Sequence, residues 1–316
     1  MAFLEWGIIE KVQAITTDNA RNIVNSVKEL GFEHIPCMVH TVQPVLRDAL
    51  QVQKNVKDLL KTARKIVRHF SDSTVAMKIL QEAQETYNLP QHVLIQDVPT
   101  RWDATYHMLR RLYEQRIAIQ AVDDLNTQKW IIMEQAINIL AYFEYVTKAL
   151  SKDTAMLSDV IPLVSSLFKI LDRIKSDMMS HEHVKIMAAD LSKQLSLRYG
   201  NIEDNNSYIT ATALDPRYKT RVFRMHSTAE KGKELLYFTL GVGESSEQQA
   251  STSSSKPSMQ GGIWGICQEI IDDTERNDTR NQNYLAINTE IYDQRVIMVD
   301  KNCGELMPEQ KNTYDT

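Results

Sequence analysis

From Gln128 to about Arg198, apolar residues recur at three-to-four spacing with no strand-like alternation, through Trp130 to Leu150, Ser158 to Met178 and His183 to Tyr199. That period puts one apolar face on each helix, and consecutive helices of this kind cover one another's faces. The spacing predicts an all-helical block. The chain before it reads differently. Lys11 to Thr17, with Val12, Ala14, Ile15 and two threonines, has the β-branched character of a buried strand. Asp18 then fits a helix N-cap, and Ile23, Val24, Val27 and Leu30 carry a helix that Gly31 ends. His34 to Cys37 reads as a short extended segment, and Val42 to Arg68 as one long helix with Val45, Leu46, Leu50, Val56, Leu59 and Leu60 on a single side. Strand, helix, short strand, helix is an α/β arrangement.

Further along, Val75 to Tyr87 predicts a helix that stops before Pro90, Val93 to Asp97 a short strand or extended stretch, and Asp103 to Ala121 a helix. Tyr208 to Leu214 with Asp215-Pro216-Arg217-Tyr218-Lys219 reads as a turn into a last helix near Thr228 to Phe238. Gly241 to Gly262 is rich in Ser, Gly, Gln and Glu and nearly empty of large apolar residues, the composition of a disordered linker. Ile263 to Ile271 can form one helical segment around Trp264, and the remainder to Thr316 is acidic and without periodicity.

Composition narrows the class. With 43% hydrophobic and 24% charged residues, the chain has the balance of a soluble globular protein. It lacks the roughly 18 consecutive apolar residues that a bilayer span needs, and Met1-Ala2-Phe3-Leu4-Glu5-Trp6 has no signal-peptide character. Cys37, Cys267 and Cys303 are scattered, which suits a reducing compartment, and no zinc-finger spacing occurs. Lys plus Arg against Asp plus Glu stand at 15 to 15 over residues 1–124, 15 to 13 over 125–240 and 6 to 13 over 241–316. No dense basic stripe announces a nucleic-acid groove, so at most weak DNA binding is expected.

Three separated motifs carry chemistry. In Ala14-Ile15-Thr16-Thr17-Asp18-Asn19-Ala20-Arg21-Asn22, Asp18 stands where a strand ends, a position from which a carboxylate projects off the sheet edge. Cys37-Met38-Val39-His40 has the spacing of a zinc ligand pair, but without a second pair the bland reading is a buried cysteine and a helix-capping histidine. In Asp97-Val98-Pro99-Thr100-Arg101-Trp102-Asp103, Arg101 and Trp102 join a guanidinium to a large aromatic face. Such a pair binds phosphate and stacks a base, or else Trp102 simply anchors a helix in the core.

Together these strings resemble the catalytic core of the hAT superfamily of DNA transposases, including host genes derived from them that often carry a BED-type zinc finger. The resemblance covers about residues 4 to 240, with the three motifs in the family's order. It implies a partial ribonuclease-H-like α/β core over 1–124, an all-helical insertion domain over 125–240, a disordered linker over 241–262 and a poorly structured acidic tail over 263–316. Asp18 resembles the family's second catalytic aspartate. By the same resemblance Cys37 supports the site, His40 lies near the DNA end being cut and joined, and Trp102 beside Arg101 stabilises a flipped base. Asp103 departs from the Asn common at its place. Ala211-Thr212-Ala213-Leu214-Asp215-Pro216-Arg217-Tyr218-Lys219 is close to a family string within the helical domain, and its role is taken as structural.

Three acids hold two Mg²⁺ ions in that family. Asp18 is the one with a counterpart here: the first aspartate would lie upstream, and Glu275-Arg276 is the nearest imitation of the third acid's string. The resemblance implies a nuclear, transposase-derived protein without cleavage activity, acting through protein contacts or weak DNA contacts. On that reading it needs no cofactor, since Mg²⁺ belongs to an intact homologue, has no membrane partner, and does not dimerise through the family's C-terminal region. The competing readings are an Mg-dependent transposase known from an incomplete gene model, and an interaction module that uses only the helices.

Overall fold

The computed structural model describes residues 7, 12–98, 101–120, 126–240 and 262–278. Most of these are helical, and the described strands form one two-stranded parallel sheet. The predicted linker at 241–262 lies, apart from Gly262, outside the described residues; of the tail predicted over 263–316 as poorly structured, residues 263–278 are helical and the rest lies outside the described residues. The chain divides into two compact units, each drawn from separated stretches. One takes its described residues from within Met1–Val42, Tyr145–Leu167 and Arg198–Thr316, the other from Gln43–Glu144 and Phe168–Leu197.

In the first unit, strand β1 (Ala14–Thr17) runs parallel to β2 (Glu33–Pro36), with Ala14 opposite Glu33 and Thr17 opposite Pro36. Parallel strands need a crossover, and helix α1 (Arg21–Glu29) supplies it. Val12, Ile15 and Val27 form a small core on which Phe32 packs. The chain leaves α1 through a Schellman turn: Gly31 N donates to Lys28 O at 3.0 Å and Phe32 N to Val27 O at 3.2 Å. Gly31 sits at φ +80, which a side chain would strain, so the predicted helix stop is where the backbone needs it. Asp18, read as the N-cap, is not one. Ala20 holds that position, and Asp18 Oδ1 accepts the Ala20 amide at 3.1 Å, tightening the turn two residues earlier.

The long helix predicted over Val42 to Arg68 is two helices, α2 (Met38–Val52) and α3 (Lys54–Asp72), parted by Gln53 at φ −81, ψ 120. No Gly or Pro marks this break; Gln53 is buried, so tertiary packing holds one extended residue between good helix formers. In the second unit, α3 packs Val56, Leu59, Leu60, Ala63, Ile66, Val67 and Phe70 inward. Helix α4 (Thr74–Thr86) follows at once, its first turn capped by Ser73 Oγ accepting from Ala76 N. The segment over Val93 to Asp97 is not a strand. Its carbonyl neighbours are taken by side chains instead: Gln84 Nε2 donates to His92 O, Gln115 Nε2 to Pro90 O and Arg111 to Val93 O at 2.7 Å. The helix predicted over Asp103 to Ala121 is likewise interrupted at Gln115, giving α5 (Trp102–Glu114) and α6 (Arg116–Gln120). The buried Gln115 carboxamide bonds Gln84 at 3.0 Å there.

The helical half follows the sequence more closely. Helix α7 covers Thr127–Leu150, α8 Val160–Ser176 after a short 3₁₀ turn at Leu157–Asp159, and α9 Glu182–Tyr199. Tyr208 to Leu214, read as part of a turn, is instead helix α10 (Asn206–Leu214). Asn205 caps it: its Oδ1 accepts from Ser207 N and Tyr208 N, while the Glu33 carboxylate receives Asn205 Nδ2 and the Ser207 hydroxyl. Helices α11 (His226–Leu240) and α12 (Gly262–Asp278) complete the described chain. No helix among the described residues is long and apolar enough to cross a membrane.

Candidate functional site at the end of the first strand

Three of the singled-out positions, Asp18, Cys37 and His40, fall where β1 and β2 end. Thr17 closes β1, and Cys37 N donates to its carbonyl at 2.9 Å, extending the parallel ladder by one bond. Asp18 follows, half-buried, then Asn19, whose Nδ2 donates to Thr41 Oγ1 at 3.1 Å. Thr41 donates in turn to Cys37 O at 2.9 Å. Cys37 is buried. His40 is half-buried in the first turn of α2, not at its cap as the sequence suggested. Tyr199 closes the far side, its buried hydroxyl donating to Met38 O at 2.9 Å. Burial drives that phenol well above its ordinary pKa, so it acts as a donor and not as a base.

His34 was not singled out, yet it faces the end of β1. The Thr17 hydroxyl donates to Asp18 O at 2.8 Å and so accepts from His34 Nε2 at 2.9 Å. Burial lowers the His34 pKa from 6.5, helped by the Lys28 charge, while the Asp18 carbonyl and carboxylate oppose them. The imidazole is therefore neutral at pH 7. In the unfolded chain it protonates more readily, so its contribution to stability is present above pH 6.5 and is lost as pH falls through the depressed folded value. Thermal melts at pH 7.5 and 5.0 should show an acid destabilisation that is smaller in His34→Gln; an identical loss in both proteins would refute this assignment.

The donor set at Asp18 does not fit a two-Mg²⁺ centre. Mg²⁺ takes near-octahedral oxygen ligands and gives up water reluctantly. Asp18 offers one carboxylate, with one oxygen already bonded to Ala20 N. Among the described residues no group of three His, Cys, Asp or Glu side chains gathers to hold a metal, at Cys37 and His40 or elsewhere.

The remaining motifs resolve in place. Arg101 is exposed and N-caps α5 through its backbone, its amide donating to Val98 O at 2.8 Å. Trp102 opens α5, and its side chain lies outside the described residues, as do Pro99 and Thr100. The same motif's Asp97 holds a fully buried carboxylate between Arg64 Nε at 2.6 Å and the Thr105 hydroxyl at 2.9 Å. Asp215-Pro216-Arg217-Tyr218 forms a buried polar network in the first unit. Arg217 bridges Asp159 at 2.8 Å and Asp215 at 2.7 Å; Ser158 donates to Asp215, Tyr218 donates to Asp159, and Tyr218 stacks on Trp264. Although burial alone would lower the Arg217 pKa, its bond to Asp215 and the Asp159 charge hold it above the ordinary value. Burial also pushes the adjacent Cys267 thiol up to about 12, leaving it inert. The string is structural.

The helical scaffold defines the class first: residues 35–136 match the family model of the ZBED1 RNase-like helical domain. The chain is also 32% identical over 274 residues to the human zinc finger BED domain-containing protein 4, covering 82% of this chain and 23% of that protein. It is 32% identical over 217 residues to the human zinc finger BED domain-containing protein 6 and 31% identical over 260 residues to its mouse counterpart, with 65% and 77% of this chain covered. The chain belongs to the hAT transposase-derived proteins related to these BED zinc finger proteins. It spans about a quarter of their length, 22–26%.

Proposed function

We propose that this chain is part of a nuclear, transposase-derived protein that works by contact with protein and, weakly, with DNA, and not by cutting DNA. The observation that carries this reading is the Asp18 carboxylate, tied into a local turn and not part of any group of three or more metal-binding side chains among the described residues. A ribonuclease-H-like ancestry accounts for the parallel β1–α1–β2 unit with an acid at the strand end. Kinship with the BED zinc finger proteins supports nuclear residence. One carboxylate cannot hold two Mg²⁺ ions against their hydration.

Titration of the 316-residue chain with Mn²⁺, followed through the electron paramagnetic resonance signal of the free ion, tests the reading. The wild type and Asp18→Ala should show the same weak, unsaturated uptake. Two tightly held ions that disappear in Asp18→Ala would favour the competing reading, a metal-dependent transposase.

A further inference from the structure

We infer that the outer face of α3 is a docking surface for the phosphodiester backbone of duplex nucleic acid, read without regard to sequence. This rests on the weak-DNA-contact reading and gives it a location. Lys54, Lys57, Lys61, Lys65 and Arg68 are all exposed on α3. At 100° and 1.5 Å per residue they fall within about 80° of arc and make a straight row about 21 Å long. The chain as a whole is acidic at −5, yet these 19 residues hold six of its 36 Lys and Arg against Asp58 and Asp72.

None of the five cations forms an ion pair with a described residue. Arg64, the sixth, is the one spent internally, on Asp97. The opposite side of α3 is buried against its own unit, so the row cannot turn inward. At its start, Asn55 Nδ2 lies 2.8 Å from His183 Nδ1, which brings the opening turn of α9 beside the first lysine.

The chemistry of the row selects the partner. A protein partner needs apolar anchors that desolvate at the centre of the interface. The arc from Lys54 to Asp72 exposes no large apolar side chain. A phosphate backbone asks only for cations in a line. Four of the five are lysines, compact point charges on flexible stems, and these neutralise phosphates without the fixed fork that reads a base.

Fluorescence anisotropy of a labelled 30-base-pair duplex, titrated with the full chain at several salt concentrations, tests the assignment. Five neutralised phosphates predict a slope of log affinity on log salt near −4.5, a loss of roughly 500-fold between about 50 and 200 mM. Duplexes of unrelated sequence should bind alike. A variant with all five replaced by Gln, which keeps helix propensity, should lose most of the affinity and most of the slope while its circular dichroism is unchanged. Should that variant misfold, Lys54→Gln with Lys57→Gln alone should flatten the slope by about 1.8. DNA binding that persists in these variants with its slope intact overturns the α3 assignment but leaves weak DNA contact standing, through another surface. No DNA binding by the wild type sinks both. Preferential capture of a polyglutamate peptide by the same face would overturn the nucleic-acid assignment in favour of an acidic protein.

Discussion

Arg217→Ala should destabilise the chain by about 3–5 kcal/mol, because it strands two buried carboxylates at once. The Asp159 and Asp215 side chains are only 9% and 6% exposed, and both lose their cationic partner. The consequence extends beyond the pair. Asp159 also receives the Tyr218 hydroxyl, and Tyr218 stacks on Trp264, so α12 loses the surface it rests on. Replacing all three charged residues together, Asp159→Leu, Asp215→Leu and Arg217→Met, should cost far less than Arg217→Ala, since no unpaired charge is then left inside. Urea unfolding of the two variants measures the contrast. Equal losses would mean that the network holds the fold by shape and not by charge.

Arg64→Ala should cost about 2–4 kcal/mol, less than Arg217→Ala because the Arg64 guanidinium is partly open to water. Asp97 is the reason for the cost. Its side chain is 0% exposed and keeps only the Thr105 hydroxyl once Arg64 is gone. One turn away, Lys61 projects into solvent, and Lys61→Ala should stay within about 0.5 kcal/mol of the wild type. The two substitutions separate the arginine that α3 spends on folding from the lysines that it leaves to a partner. A harmless Arg64→Ala would show that the Asp97 carboxylate is solvated in solution.

Sequence reading reached the elements that local chemistry decides. The strand before Asp18, the stop at Gly31 and the three long helices from Thr127 to Tyr199 follow from β-branching, a left-handed glycine and helical periodicity. What it missed depends on distant residues. Gln53 and Gln115 break helices with neither Gly nor Pro: both are buried, and the Gln115 carboxamide is bonded to Gln84 and to the Pro90 carbonyl. Asp97 and Asp159 look like ordinary acids until Arg64, 33 residues from Asp97, and Tyr218, 59 residues from Asp159, are in place.

The basic row on α3 was hidden for another reason. Charge counted over residues 1–124 balances at 15 to 15 and erases a cluster that only helical phase assembles. His34 lacked any motif to flag it, and its meeting with Thr17 needs the parallel register of β1 and β2. Asp18 was legible as an acid at a strand end; the turn that occupies one of its oxygens was not.

Incubating the purified chain with hAT transposon-end duplexes and Mg²⁺ or Mn²⁺, then resolving the strands on a denaturing gel, tests most directly whether this protein handles DNA without cutting it. Full-length strands at every time point, identical for wild type and Asp18→Ala, are the predicted result. Cleavage at the transposon end that vanishes in Asp18→Ala would contradict it.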